Sequence, residues 1–175
     1  MRAPAELVFQ VARGFDMESI PLVRAIFWLR GRLMRAKVTA PARSHGLDTD
    51  ALRAMGWGVL DEVPGRHFVA GAVCQPWQAE VVFTPVASDR FAAYAEPDQV
   101  KIAWTLEAEP LGPALSRFAT ETRAVATDAQ ARARFRKYWR LASIGILAIR
   151  WLLVPAVRRQ AEARWRARTD ARCLP

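Results

Sequence analysis

The sequence predicts an α+β fold in which an antiparallel β-sheet is covered by one long C-terminal helix. Apolar and polar residues alternate over 100–109, which is the pattern of a strand that buries one face, and 115–127 is the best candidate for its partner strand. The linking segment Pro-Leu-Gly-Pro-Ala carries the turn residues of a hairpin. After residue 128, apolar residues recur every three or four positions, which indicates a helix. Because strands and helices occupy separate parts of the chain, the class is α+β.

The first hundred residues predict short helices followed by short strands. In chain order these are helices over 5–13 and 17–35, a loop over 37–46, a short helix ended by Gly56, two strands within Trp57–Cys74 around a Pro64–Gly65 turn of type II, a strand over Ala79–Pro85 and a helical turn within Ala87–Pro97. Thr127 or Asp128 then caps the long helix.

A hairpin centred near Gly112 predicts the register of the two long strands. It places Leu106 opposite Phe118, Trp104 opposite Thr120 and Ile102 opposite Thr122, all on one apolar face. The other face then pairs Glu107 with Arg117 and sets Lys101 diagonal to Glu121. Apolar side chains meet on one side and opposite charges on the other, which favours a single register.

The long helix carries a stripe of apolar residues that we expect to cover the sheet. Its members are Phe135, Trp139, Ala142, Ile146, Ile149, Leu153 and Val157. The segment Leu141–Val157 is apolar enough to approach a membrane span, but Arg150 lies near its centre and Pro155 near its end. We therefore expect a buried amphipathic helix. With no leader pattern at the first helix, we expect a cytoplasmic protein.

The formal net charge of +9 suggests an anionic partner. Arginines cluster in 131–137 and 156–168, where they favour a solvated outer helix face over a grip on nucleic acid. An Arg-rich, Trp-bearing helix is also typical of contact with an anionic membrane, and that alternative stays open.

The motifs for cofactors and metals do not occur. The sequence has neither a GxGxxG nor a GxxxxGK[ST] loop, and no His, Cys or acidic residues at metal-ligand spacing. We accordingly expect no cofactor and no metal. Cys74 and Cys173 are the two cysteines, and free thiols are expected rather than a disulfide.

Three segments carry a resemblance to a known family. They are RAPAELVFQVA at 2–12, the hairpin VKIAWTLEAEPLGPALSRFATETRAVATD and the helix start RARFRKYWRL. The chain resembles the START-like superfamily, also called SRPBCC, and within it the bacterial members with a Thr-Glu-Thr-Arg strand. The length of the chain and the lack of an internal repeat or low-complexity linker predict a single domain over 1–168, with a tail at 169–175. The resemblance implies a helix-grip fold, in which a curved antiparallel sheet wraps around the C-terminal helix and leaves an apolar cavity.

One departure from the superfamily concerns the first strand. Members have a strand before the helix that opens with Ala-Pro, whereas here Met1 and Arg2 alone precede Ala3 and Pro4. The sequence therefore predicts either a start upstream of Met1 or a sheet that is short of most of one strand. The open edge of such a sheet would favour a homodimer.

The candidate site residues are those that the predicted register turns toward the cavity. Trp104, Phe118 and Trp139 are candidate walls, Thr120 and Thr122 candidate polar contacts, and Tyr138 a candidate phenol donor. Closed core packing is the alternative for the aromatic residues. Glu121, the one candidate general base of this stretch, is expected on the outer face together with Arg123.

The predicted function is therefore binding of a small hydrophobic ligand, such as a lipid, a polyketide or a quinone-like molecule, in the cavity beside the helix. Two alternatives stay open. One is an enzyme of the polyketide cyclase or dehydratase kind on the same fold. The other is an Arg-rich module that binds a membrane surface or nucleic acid.

Overall fold

The computed structural model of the protein describes residues 1–16, 19–33 and 49–172. The α+β class and the helix-grip arrangement are confirmed: an open four-stranded antiparallel sheet, in the order β1-β2-β3-β4, packs against a long C-terminal helix. The elements are α1 Ala5–Arg13, α2 Pro21–Leu33, α3 Thr49–Ala54, β1 Gly58–Val63, β2 His67–Cys74, α4 Ser88–Phe91, β3 Val100–Gly112, β4 Leu115–Ala126 and α5 Ala129–Arg172. The predicted loop over 37–46 and Cys173 lie outside the described residues.

The turn between β1 and β2 has the predicted geometry. Gly65 has a φ of 75°, and the Arg66 amide donates a hydrogen bond of 3.0 Å to the Val63 carbonyl oxygen. A type II turn requires this positive φ at its third position, where glycine carries no steric cost. A second glycine, Gly71 in β2, makes room for a side chain: a Cβ there would lie 2.4 Å from Leu60 Cδ1.

The register between β3 and β4 differs from the prediction by two residues. Trp104 lies opposite Thr122, Leu106 opposite Thr120 and Ala108 opposite Phe118. Gly112 pairs with Leu115, so the turn is Pro113–Ala114 rather than a turn centred on Gly112, and an irregularity follows between Pro110 and Gly112. Because side chains alternate with period two, an even shift leaves every residue on its predicted face.

The charged pairs of the outer face change with the register. Arg117 pairs with Glu109 rather than with Glu107. Lys101 lies opposite Val125, and its Nζ donates a hydrogen bond to the Ala92 carbonyl oxygen at 2.6 Å instead of approaching Glu121.

The strand predicted over Ala79–Pro85 is wrong. Within that segment Thr84 alone makes a bridge, with Val73, through two backbone hydrogen bonds of 2.9 and 2.8 Å. The pairing of β1 with β2 stops at Gly58, which lies opposite Gly71. Val73 is two residues further along β2, so this edge of β2 is not covered by β1 at Val73. The next hydrogen-bonded position of β2 is Gly71, which is already paired with Gly58 of β1, so the ladder does not continue beyond Thr84.

The main hydrophobic core lies where α1 and the C-terminal part of α5 cover one face of the sheet. We call this the inner face; it consists of the even-numbered residues of β2, β3 and β4. Phe68 and Leu106 of this face are buried together with Val157 and Ala161 of α5. Helix α1 contributes a run of buried residues: Ala5, Leu7, Val8, Phe9, Val11 and Ala12. Burial of such side chains contributes about 1.5–3 kcal/mol each, so this end of the sheet is the most strongly held.

Asp128 caps the start of α5, as predicted for this position. Its carboxylate accepts hydrogen bonds from the amide of Ala131 at 2.7 Å and from the amide of Asp98 at 2.5 Å. Thr127 instead exchanges hydrogen bonds of 3.0 Å with the backbone of Gln99. The bond from the Asp98 amide, followed by the bond from Ala131, lowers the pKa of Asp128 below its ordinary value. One carboxylate thus joins the helix start to the segment before β3.

We expect D128A to destabilise the protein and D128N to do so much less, because asparagine caps a helix about as well as aspartate. In D128A the thermal midpoint should fall by about 2–4 °C, measured by circular dichroism at neutral pH. Since the pKa of Asp128 is lowered by folding, its charge stabilises the fold above the ordinary pKa of an aspartate. That stabilisation is lost as the pH falls through the lowered value. D128N should therefore lose less stability than the wild type on acidification, and equal losses would contradict the assignment.

Candidate functional site

The middle of the inner face is less covered than its two ends. At the end under α1, Phe68, Leu106 and Ala108 are buried, and at the end next to the start of α5, Cys74 and Val100 are buried. Between them five inner-face residues keep exposed surface: Ile102, Trp104, Thr120, Thr122 and Ala124. The β2 residues beside them are the small Ala70 and Ala72. We call this region, together with the part of α5 that faces it, the groove.

Trp104 is held in place from two directions. Its indole Nε1 donates a hydrogen bond of 3.2 Å to Thr120 Oγ1. Its ring meets the edge of Phe68, with centroids 6.3 Å apart and planes at 73°. The edge-to-face contact favours one ring orientation, and the hydrogen bond satisfies the one polar group of the side chain. Trp104 therefore presents a fixed apolar surface beside Thr120 and Thr122.

Arg150 connects α5 to the groove. Its Nη2 donates a hydrogen bond of 3.0 Å to Thr122 Oγ1, and its side chain is half-buried. In the sequence Arg150 is an isolated charge in an apolar helix, and it was not among the predicted site residues. That isolation was the one signal that could have found it, because a lone charge in such a segment needs a partner.

Glu121 and Arg123 lie on the exposed outer face, as expected. They pair with each other at 2.8 Å, and not with Lys101 across the hairpin. The hydrogen bond from Arg123 lowers the pKa of Glu121, and the charges of Arg123 and Arg150 act in the same direction. A lower pKa makes Glu121 a weaker base, which is the opposite of what a general base at neutral pH requires.

Phe118, Tyr138 and Trp139 lie in different surroundings. Phe118 is half-buried and packs against the main core. Tyr138 and Trp139 lie in the third turn of α5, where Phe135 contacts both rings at centroid distances of 6.2 and 5.6 Å. Trp139 is 42% exposed and Tyr138 is half-buried. The four strand residues among the six candidates thus share one face, and the two helix residues form an aromatic group with Phe135.

Two surface clefts lie elsewhere in the described part of the chain. One, of about 400 Å³, lies between the start of β1, Arg53 and the segment Pro85–Ala87. The other, of about 540 Å³, lies between the start of α1, the β1–β2 turn and the β3–β4 turn. None of the six candidate residues lines either cleft.

The expectation that the middle of α5 is buried is wrong. Among the described helices, α5 is the one that is long and apolar enough to cross a membrane by length and composition, and only 6% of its most apolar 18-residue window is buried. Leu153 and Val157 of the predicted stripe pack in the core beside the sheet, whereas Trp139 of the same stripe is 42% exposed. The opposite side of the helix is also apolar and lies exposed. Residues on that side include Ile144 and Trp151.

Neither metal-ligand geometry nor a relative helps to define the site. Within the described residues, no group of three or more His, Cys, Asp or Glu is placed to hold a metal ion. No family model, no curated protein and no solved structure matches this chain.

We expect T120V to destabilise the protein by about 1 kcal/mol, because valine keeps the shape of threonine and leaves the half-buried indole N–H of Trp104 without its acceptor. Urea unfolding followed by circular dichroism measures the change. The same substitution in a W104F background should cost far less, since phenylalanine has no N–H to satisfy. An equal cost in both backgrounds would show that the hydrogen bond contributes nothing to stability.

Proposed function

We propose that the protein binds a small hydrophobic ligand, such as a lipid, a polyketide or a quinone-like molecule, in the groove between the inner face and α5. The observation that carries the proposal is the uneven cover of the inner face. It is buried at both ends, yet partly open at Ile102, Trp104 and Thr122 in its middle. Apolar sites with a few polar groups are typical of small-molecule pockets.

The polar groups of the groove support a ligand with one polar end. Arg150 places a guanidinium next to Thr122, and a guanidinium has several N–H donors, of which one is directed to Thr122. A carboxylate or phosphate at the end of an apolar ligand would pair with it. The apolar part of the ligand would then lie along Trp104 and the sheet-facing side of α5.

Binding is proposed rather than catalysis because of the chemistry of the residues present. The groove residues named above provide one permanent cation and two hydroxyl groups, but no carboxylic acid and no histidine to transfer a proton at neutral pH. The resemblance to the START-like superfamily agrees with this proposal and does not carry it.

The proposal predicts that T122F weakens binding of a hydrophobic acid while A119F does not. Both residues are exposed on β4, but Thr122 faces the groove and Ala119 lies on the outer face, so the phenylalanine fills the groove in one variant alone. The measurement is titration with a fluorescent long-chain fatty acid. We expect at least a tenfold loss of affinity in T122F, which corresponds to about 1.4 kcal/mol.

Arg150 is tested with the same probe. R150Q should weaken binding of the fatty acid more than binding of the corresponding fatty alcohol, since the alcohol carries no charge for the guanidinium to pair with. The proposal fails if the wild type binds neither probe, or if T122F and A119F bind the acid equally well.

A further inference from the structure

We propose that the exposed side of α2 and α5 docks this protein on the surface of an anionic lipid bilayer. The docking face consists of large apolar side chains that the described structure leaves exposed: Leu22, Trp28 and Leu29 of α2, and Leu141, Ile144, Leu147 and Trp151 of α5. Trp151 is 81% exposed and Ile144 73%. Monomeric soluble proteins rarely expose large apolar side chains in such a group, and a group of this kind marks an interaction surface.

The α5 part of the docking face lies on the opposite side of the helix from the groove. Its members are spaced by three or four residues, so they share one side of the helix. Ile149 and Leu153 lie on the other side of the helix and are half-buried. The middle of α5 is therefore apolar on both sides, and the described structure covers only one of them in part.

Helix α2 lies against α5 at this point. Val23 of α2 is buried, and a Cβ on Gly145 of α5 would lie only 3.1 Å from Ile26 Cγ2. The absence of a side chain at Gly145 thus permits the close approach of the two helices. Their exposed apolar residues are brought to one region of the molecule in this way.

The two helices of the docking face carry an excess of basic residues, two of which, Arg134 and Arg158, are paired with Asp98 and Glu162. Between Asp128 and Glu162, α5 has no acidic residue and eight basic ones: Arg132, Arg134, Arg136, Lys137, Arg140, Arg150, Arg158 and Arg159. Helix α2 has three arginines and no acid, and the guanidinium of Arg32 lies 5.6 Å from the ring centroid of Trp28.

Two basic residues of α5 lie in line with its exposed apolar residues. Lys137, Ile144, Trp151 and Arg158 follow one another at steps of seven, which places them on one side of the helix. The apolar part is therefore bounded by a cation at each end, with Arg158 also paired to Glu162. The segment from Lys137 to Arg158 is about 32 Å long at the rise of an α-helix.

An anionic bilayer fits this pattern better than other partners. A second copy of the chain would bring arginines against arginines, because the docking face offers no acid to pair with them. Nucleic acid would neutralise the arginines but would leave Ile144, Leu147 and Trp151 without apolar contact. Anionic lipids bind both kinds of side chain, because acyl chains contact the apolar side chains and the anionic headgroups pair with the arginines and Lys137.

The docking is to the surface rather than across the bilayer. Val157 and Ala161 are fully buried in the core that includes α1, and Arg150 is hydrogen-bonded to Thr122 of β4. A helix that crosses a bilayer as a single span would have lipid on all sides, which these contacts prevent. Helix α5 therefore lies along the surface, with its docking side toward the lipid.

Vesicle flotation tests the apolar part of this proposal. The wild type should bind vesicles of phosphatidylcholine mixed with phosphatidylglycerol. I144E/W151E should bind them at least about tenfold more weakly, because charged side chains do not enter the acyl region. V82E/V125E is the matched control: it adds the same charge at exposed apolar residues outside the docking face, and Val82 is as exposed as Ile144. The circular dichroism spectrum and the urea midpoint verify that each variant is folded.

A second pair of variants tests the cations. K137Q/R140Q should bind the anionic vesicles about tenfold more weakly, and R117Q/R123Q, which removes the same charge from the outer face of β4, should not. Wild-type binding should also fall with added salt and should be weaker on vesicles of phosphatidylcholine alone.

Four results would overturn the proposal. The first is the absence of binding to anionic vesicles at low salt, and the second is an equal loss in the docking-face variants and their controls. The third is a dimer in light scattering that I144E/W151E dissociates while vesicles are not bound, which would assign the face to a second copy. The fourth is protein that stays on the vesicles in alkaline carbonate and is released only by detergent, which would indicate a spanning helix. None of these four results affects the fatty-acid titration of T122F. Ligand binding in the groove and membrane binding by the docking face are therefore tested separately.

Discussion

The structure depends on the burial of one apolar sheet face by a single helix that must reach across it. Asp128 fixes the start of α5 beside the beginning of β3, and Val157 and Ala161 enter the core under α1. These two attachments are about 29 residues apart, or about 44 Å along the helix. The middle of α5 is held between them without being enclosed, and both proposed functions arise from that middle segment.

Arg150 explains how the middle of α5 stays close to the sheet. An apolar segment attached only at its ends would have no directional contact with the strands beside it. The hydrogen bond from Arg150 to Thr122 supplies one, and it also gives the arginine a partner at a half-buried position. The same bond leaves N–H groups of the guanidinium available for another acceptor. A residue that argued against a membrane span in the sequence thus becomes the polar centre of the groove.

Much of the fold could be predicted because local patterns determine it. Alternation over 100–109 and the hairpin that joins this strand to 115–127 assigned the strands and their faces, and the shift in register left those faces unchanged. The Pro64–Gly65 turn and the Asp128 cap follow from the backbone preferences of single residues. The register itself was missed because the choice between a turn at Gly112 and one at Pro113–Ala114 is a choice between two weak local preferences. The strand predicted over 79–85 was wrong because a run of β-forming residues does not reveal whether a neighbouring strand has an unpaired edge long enough to bind it.

The candidate site was predicted only in part, for a different physical reason. Helical periodicity shows which residues share a side of α5, but it does not show what covers either side. Leu153 and Val157 of the predicted stripe lie in the core as expected, whereas Ile144 and Trp151 were not recognised as exposed. Exposure of a large apolar helix side to water is unfavourable, and contact with lipid or another molecule would relieve that cost. The two proposals therefore assign different partners to the two sides of α5: a small ligand between Trp104 and the helix on the groove side, and an extended surface that accepts both leucines and arginines on the docking side.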